Sequence, residues 1–100
     1  MLIVRDVFTA RPGQASKLAK KFKNVFGNVP TVRIMTDLVS DFNTVIMEHE
    51  VKNLAEYEEL IKMYMSGKPA PNMAENAFEE MAGYTEMYLT GRREVLQVFE

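Results

Sequence analysis

The chain has 100 residues, of which 47% are hydrophobic and 26% are charged, and its formal net charge is -2. This length and composition fit one globular domain, and the near-balanced charge gives no electrostatic reason to bind nucleic acid or an anionic membrane surface. Cysteine is absent, which excludes disulfides, thiolate metal sites and cysteine nucleophiles.

The first predicted strand runs from Leu2 to Thr9 and has apolar side chains on both faces. After the break at Arg11–Gln14, apolar residues at helical spacing predict a helix from Ala15 to Phe26 with lysines on its outer side. Gly27 and Asn28 tolerate the left-handed conformation that commonly ends a helix.

A second and a third strand are predicted over residues 31–39 and 44–51. Turn-forming residues at positions 40–43 connect them tightly, so the pair is expected to form an antiparallel hairpin. His49 lies on the more apolar face of the third strand, on the same side as Val45, Met47 and Val51.

The second helix is predicted to begin at Asn53, because Glu56 stands three positions later in a capping-box arrangement. Its expected buried stripe is Leu54, Tyr57, Leu60, Ile61, Tyr64 and Met65. It should end at Ser66-Gly67, and a weaker helix is predicted over 72–81.

A long last strand is predicted from Thr85 to Phe99, with a bulge or bend at Gly91. It is longer than a four-stranded sheet needs. We therefore expect an overhang, such as Glu94–Phe99, that pairs with or lies across a second subunit.

The order strand–helix–strand–strand–helix–strand predicts an α+β, ferredoxin-like βαββαβ sandwich, with residues 1–100 as a single domain and the helices on one face of a four-stranded antiparallel sheet. Two helices cover only one side of such a sheet, yet the strands are apolar on both. The expected partner is a second copy of the chain.

Several segments resemble the dimeric α+β barrel superfamily, in particular its NIPSNAP-type and antibiotic-biosynthesis-monooxygenase-like domains. They are Arg11-Pro12-Gly13-Gln14, Val32-Arg33-Ile34-Met35-Thr36-Asp37, Glu48-His49-Glu50-Val51 with the following Asn53-Leu54-Ala55-Glu56-Tyr57-Glu58, and Thr90-Gly91-Arg92-Arg93-Glu94. The resemblance implies a homodimer whose sheets face each other to form a barrel, with substrates of the enzymes held in the cleft between sheet and helices. The haem-degrading members use a tryptophan, which this chain lacks.

His49 is the only histidine and the candidate general base, with a neutral, internally hydrogen-bonded histidine as the alternative. Asp6 would orient it if the strand register brings the two together; otherwise Arg5 and Asp6 are expected to pair with charges across the sheet or the dimer interface, such as Glu48 or Glu50. The other candidate ligand-binding residues are Asp6, Tyr57, Tyr64 and Met47.

The sequence predicts a homodimeric protein that binds a small apolar or aromatic molecule in the sheet–helix cleft. The alternative is a cofactor-independent enzyme, monooxygenase-like or isomerase-like, with His49 as base. No metal or cofactor is expected, because no ligand spacing or phosphate-binding glycine loop is present. No nucleic-acid or membrane partner is expected, and without a signal peptide or an apolar run of about 20 residues the expected location is the cytoplasm.

Overall fold

The computed structural model describes residues 1–100. Its elements are β1 (Leu2–Ala10), α1 (Ala15–Phe26), β2 (Arg33–Thr36), β3 (Thr44–Val51), α2 (Leu54–Met65), α3 (Ala77–Glu80), a 3-10 turn (Tyr84–Glu86) and β4 (Tyr88–Gln97). The four strands form one sheet in the order β2-β3-β1-β4, and every neighbouring pair is antiparallel. This arrangement confirms the predicted ferredoxin-like α+β fold. No helix combines the length and apolar character needed to cross a bilayer.

The second strand is shorter than predicted, because the chain leaves the ladder at Asp37. The Asp37 carboxylate accepts hydrogen bonds from the Ser40 hydroxyl at 2.9 Å and from the backbone N–H of Thr44 at 3.1 Å. These bonds organise residues 37–43 as a loop instead of extended strand. The predicted bounds of β3 are those observed.

The predicted helix over 72–81 is also shorter than expected. Asn72 adopts a positive φ of 69°, which is incompatible with a right-handed helix at that position. Only one turn, Ala77–Glu80, is helical, and the following 3-10 turn takes residues that were predicted as strand.

The prediction of a bulge at Gly91 was wrong, because the irregularity in the β1–β4 pairing falls between Thr9 and Ala10. Gly91 instead faces the ring of Phe8, and a Cβ there would lie 3.0 Å from Cδ1 of that ring. The glycine is required by close packing.

The overhang is also shorter than predicted, since the register pairs Gln97 with Leu2 and only 98–100 extend beyond β4.

The hydrophobic core lies between the sheet and α1. Leu18, Phe22 and Val25 of α1 are buried, and the first two pack with Ala10, Val45 and Met47 of the sheet. The apolar face that the spacing of α1 predicts is therefore the face that packs on the sheet.

The second helix is placed differently, because none of its residues is buried. Its start is capped as predicted: Asn53 Oδ1 accepts from the Glu56 N–H at 3.0 Å, while the Glu56 carboxylate reaches the N–H of Lys52 at 2.7 Å. The buried stripe expected on α2 is only partly observed: Leu54, Tyr64 and Met65 are exposed, whereas Tyr57, Leu60 and Ile61 are half-buried. The helix stands away from the sheet and leaves a cavity beneath it.

Candidate functional site

A cavity of about 290 Å³ lies between the helix-facing side of the sheet and α2. Of the 18 residues that line it, 14 are hydrophobic. The hydrophobic ones are Phe8, Phe22, Phe26, Val29, Val32, Met47, Tyr57, Leu60, Ile61, Tyr64, Ala70, Met73, Met81 and Tyr84. The remaining four, which carry the polar chemistry, are Asp6, His49, Lys68 and Arg93.

Four of the lining residues, Asp6, Arg93, Tyr57 and His49, carry polar groups that we call the polar wall of the cavity. Asp6 and Arg93 lie at its centre. The register sets the two residues directly opposite each other on β1 and β4. Arg93 donates from Nε to Asp6 Oδ1 at 2.6 Å and from Nη2 to Asp6 Oδ2 at 3.2 Å, and from Nη1 to the Tyr57 hydroxyl at 3.3 Å. The two hydrogen bonds to the buried Asp6 carboxylate hold the guanidinium in one orientation. Nη1 and Nη2 of Arg93 each keep one N–H group that is free to donate to another acceptor.

His49 lines the cavity as the fourth member of this wall. Burial lowers the pKa of His49 below its ordinary value of 6.5; the charge of Asp6 acts in the opposite direction and that of Arg93 adds to the lowering. The imidazole is therefore neutral at pH 7, with one nitrogen as donor and the other as acceptor. No side-chain hydrogen bond within the chain engages it, so the internally bonded alternative is not what the structure has.

Asp6 does not orient His49. The register pairs Asp6 with Met47 and His49 with Val4, so the two side chains are diagonal neighbours on one face of the sheet. Both carboxylate oxygens of Asp6 are taken by Arg93 instead. The geometry therefore does not favour the enzyme alternative, because the candidate base has a lowered pKa and no group that fixes its tautomer.

The expectation that Arg5 and Asp6 pair with charges across the sheet is met for Asp6 but not, within one chain, for Arg5. Asp6 pairs with Arg93, and Arg5 lies on the opposite face of the sheet without an ion pair inside the chain, although Glu48 is its direct neighbour on β3.

The remaining predicted residues, Tyr57, Tyr64 and Met47, also line the cavity. Tyr64 stands at its rim, where its ring lies 5.9 Å from that of Phe78. Burial, with a smaller effect of Tyr64, raises the pKa of Tyr84 to about 12, so this phenol stays protonated at neutral pH. Of the eight methionines, Met47, Met73 and Met81 contribute to the lining.

Arg93 is the residue of the candidate site that was not among the predicted site residues. Its partner Asp6 lies 87 positions away in the sequence, so no local spacing points to the pair. The available signal was the alternation itself, which sets Asp6 as a lone charge among the apolar residues Val4 and Phe8 on one face of β1.

No protein-family model matches the chain, and no curated protein matches its sequence. Solved structures do match. A NIPSNAP family protein from Agrobacterium tumefaciens superposes with a TM-score of 0.76 at 8% identity, covering 99% of this chain and 86% of that one. An uncharacterized NIPSNAP-like domain protein from Burkholderia xenovorans gives 0.74 at 10% identity, covering 98% and 84%. An uncharacterized NIPSNAP domain protein from the same organism gives 0.74 at 10% identity, covering 99% and 95%. The chain thus has the NIPSNAP-like α+β fold that its sequence motifs predicted.

Proposed function

We propose that this protein binds a small apolar or aromatic molecule in the cavity beneath α2, with one polar group of the ligand against the wall formed by Asp6, Arg93, Tyr57 and His49. The observation that carries the proposal is the cavity itself: about 290 Å³ of space lined mainly by apolar side chains, under a helix that buries none of its own residues. Apolar pockets with a few convergent polar groups are the usual form of small-molecule sites.

The size of the cavity limits the ligand. Small-molecule pockets typically measure about 300–1,000 Å³, and this one lies at the lower end of that range. A one- or two-ring aromatic compound or a short acyl chain fits such a volume, whereas a macrocycle of haem size does not.

The charges of the polar wall limit the ligand's head group. Asp6 and Arg93 neutralise each other, and His49 is neutral at pH 7. A charged group placed against these four side chains would lose hydration without gaining a counter-charge from them. Lys68, the other charged residue of the lining, is not part of this wall. A hydroxyl or carbonyl group suits it better, because it accepts from the free N–H groups of Arg93 and exchanges a hydrogen bond with His49.

A thermal-shift screen tests the proposal with a panel of one- and two-ring phenols and aryl ketones. Because binding to the folded state alone stabilises it, a ligand at about 100 times its Kd adds about 2.7 kcal/mol, and the melting temperature should rise with its concentration. Ala70→Phe fills the cavity and should abolish the shift, while Ala55→Phe makes the same change on the exposed side of α2 and should keep it. A panel without effect on the wild type, or equal shifts for the two variants, would contradict the proposal.

Two further variants test the polar wall. Tyr57→Phe and His49→Phe each remove hydrogen-bonding groups, so affinity for a phenol should fall by about tenfold, the value of one hydrogen bond. Affinity for the matching ring without its hydroxyl should change little. Equal losses for both compounds would show that the wall acts only through its shape.

A further inference from the structure

Lys68 is the charged residue of the cavity lining that has no partner of opposite charge. No ion pair within the chain includes it. Asp6 is the only acidic residue of the lining, and both of its carboxylate oxygens accept hydrogen bonds from Arg93. Because His49 is neutral at pH 7, the lining has a net positive charge, and this charge is that of Lys68.

The end of α2 fixes the backbone position of Lys68. Gly67 has a positive φ of 78°, and its N–H donates to the carbonyl of Tyr64 at 3.2 Å. The N–H of Lys68 donates to the carbonyl of Met63, also at 3.2 Å, and the Ser66 hydroxyl donates to the same carbonyl at 2.7 Å. This pattern is a Schellman motif, which ends a helix and satisfies its last carbonyl groups. The ammonium group of Lys68 is therefore not needed to cap α2.

The segment that follows Lys68 is anchored as well. The N–H of Ala74 donates to the carbonyl of Val25 in α1 at 3.0 Å, and the N–H of Ala70 lies 3.2 Å from the sulfur of Met73. Ala70 and Met73 both line the cavity. Lys68 itself is exposed, so its apolar stem can cover the lining while its ammonium group stays at the rim of the cavity.

Lys68 and the polar wall lie towards opposite ends of α2. Tyr57 of the wall is near the start of this helix, whereas Lys68 comes after its last residue, Met65. At a rise of 1.5 Å per residue, Tyr57 and Met65 are about 12 Å apart along the helix axis. A ligand that contacts both the wall and Lys68 is therefore elongated, with a ring and a short chain between two polar groups.

We propose that the ligand is an aromatic monocarboxylic acid whose carboxylate pairs with Lys68, while a hydroxyl or carbonyl group at its other end lies against the polar wall. This inference rests on the small-molecule function proposed above and adds the chemical class of the ligand. A carboxylic acid with an ordinary pKa is ionised at pH 7, so it supplies the counter-charge that the lining lacks. An ammonium–carboxylate hydrogen bond is stronger than one between neutral groups, and a cationic ligand would be repelled.

Two compounds that differ at one end of the molecule test the ligand class. They are para-hydroxyphenylbutanoate and its uncharged amide, and their Kd values are measured by calorimetric titration at pH 7. The wild type should bind the acid at least about threefold more tightly than the amide, a gain of the size that an ion pair at an exposed site provides. This preference should shrink in about 0.5 M salt, because salt screens exposed charges.

The variant Lys68→Gln should bind the two compounds equally, with the Kd of the amide unchanged. Lys62→Gln is the matched control and should keep the preference for the acid, because Lys62 does not line the cavity and contacts Glu58 and Glu59 at 3.5 and 3.8 Å. A wild type without the preference, or a preference that survives Lys68→Gln, would overturn the choice of a carboxylic acid and leave the proposed small-molecule function standing. Binding of neither compound would overturn this inference even if neutral compounds of the thermal-shift panel bind; failure of that panel as well would overturn the proposed function.

Discussion

Asp6 and Arg93 are direct partners across the β1–β4 pairing, and their side chains are joined by two hydrogen bonds of 2.6 and 3.2 Å on the floor of the cavity. Asp6 is only 5% exposed, whereas the side chain of Arg93 is 47% exposed. Loss of the contact therefore costs more at the carboxylate of Asp6 than at the guanidinium of Arg93, because water can replace the lost partner only at the exposed group.

The variant Arg93→Gln should lower the free energy of unfolding by about 1–3 kcal/mol, the cost of leaving a buried polar group unsatisfied. The half-exposed position of Arg93 keeps the loss below the about 3–5 kcal/mol of a fully buried pair. Urea denaturation followed by circular dichroism measures it. Arg92→Gln is the matched control, since Arg92 is 67% exposed and its contact with Glu94 is 3.9 Å long; it should cost less than about 1 kcal/mol. Equal effects would show that the Asp6 contact contributes no more than a surface pair.

Gly91→Ala should destabilise the protein by about 1–3 kcal/mol through overpacking. The added methyl group would lie 3.0 and 3.1 Å from two carbons of the Phe8 ring. That ring packs against the rings of Phe22 and Tyr88, whose centroids lie 5.3 and 4.8 Å away, so a shift of Phe8 would disturb both contacts.

The double variant Gly91→Ala/Phe8→Leu separates this clash from a backbone effect. A smaller side chain at position 8 makes room for the methyl group, so the cost of Gly91→Ala should shrink in that background. Thermal denaturation of the four proteins gives the coupling. An unchanged cost would mean that the glycine is needed for its conformation and not for the approach of Phe8.

The fold and several residues of the cavity lining could be predicted from local sequence pattern, but the contacts inside the site could not. Alternation over Thr44–Val51 and the cap at Asn53 predicted β3 and the start of α2, because both depend on neighbouring residues. Periodicity also identified the apolar face of α2, but it does not say how closely a helix approaches the sheet. The partner of Asp6 was equally hidden, since strand register is set by the whole sheet and joins residues that are 87 positions apart.

Backbone amides of α2 should exchange with deuterium faster than those of α1. Helix α1 buries Leu18, Phe22 and Val25, whereas α2 buries no residue and therefore opens at lower cost. Hydrogen exchange read by mass spectrometry on peptides from the two helices measures the difference. Addition of a ligand found in the screen should slow α2 selectively; equal protection of the two helices in the free protein would contradict the loose docking of α2.

The stability of the protein should fall as the pH is lowered through the region just below 6.5, because of His49. Burial lowers the pKa of this histidine in the folded state relative to 6.5. Between the folded-state pKa and 6.5, the unfolded chain binds a proton at His49 and the folded chain does not. The free energy of unfolding therefore rises with pH in this window, and the full contribution of His49 is reached above 6.5. Each unit of separation is worth about 1.4 kcal/mol.

His49→Phe removes the contribution of His49 to this pH dependence. Between about pH 7 and about pH 5, the free energy of unfolding measured by urea denaturation should therefore fall less in the variant than in the wild type. The carboxylates contribute equally to both proteins and cancel in the comparison. Because His49 is the only histidine, the imidazole proton signals in an NMR titration belong to it without assignment. Their midpoint should lie below 6.5 and should move further down when a ligand fills the cavity and excludes water from the ring. A midpoint at or above 6.5 would mean that the charge of Asp6 outweighs burial, and the polar wall would then carry a net positive charge at mildly acidic pH.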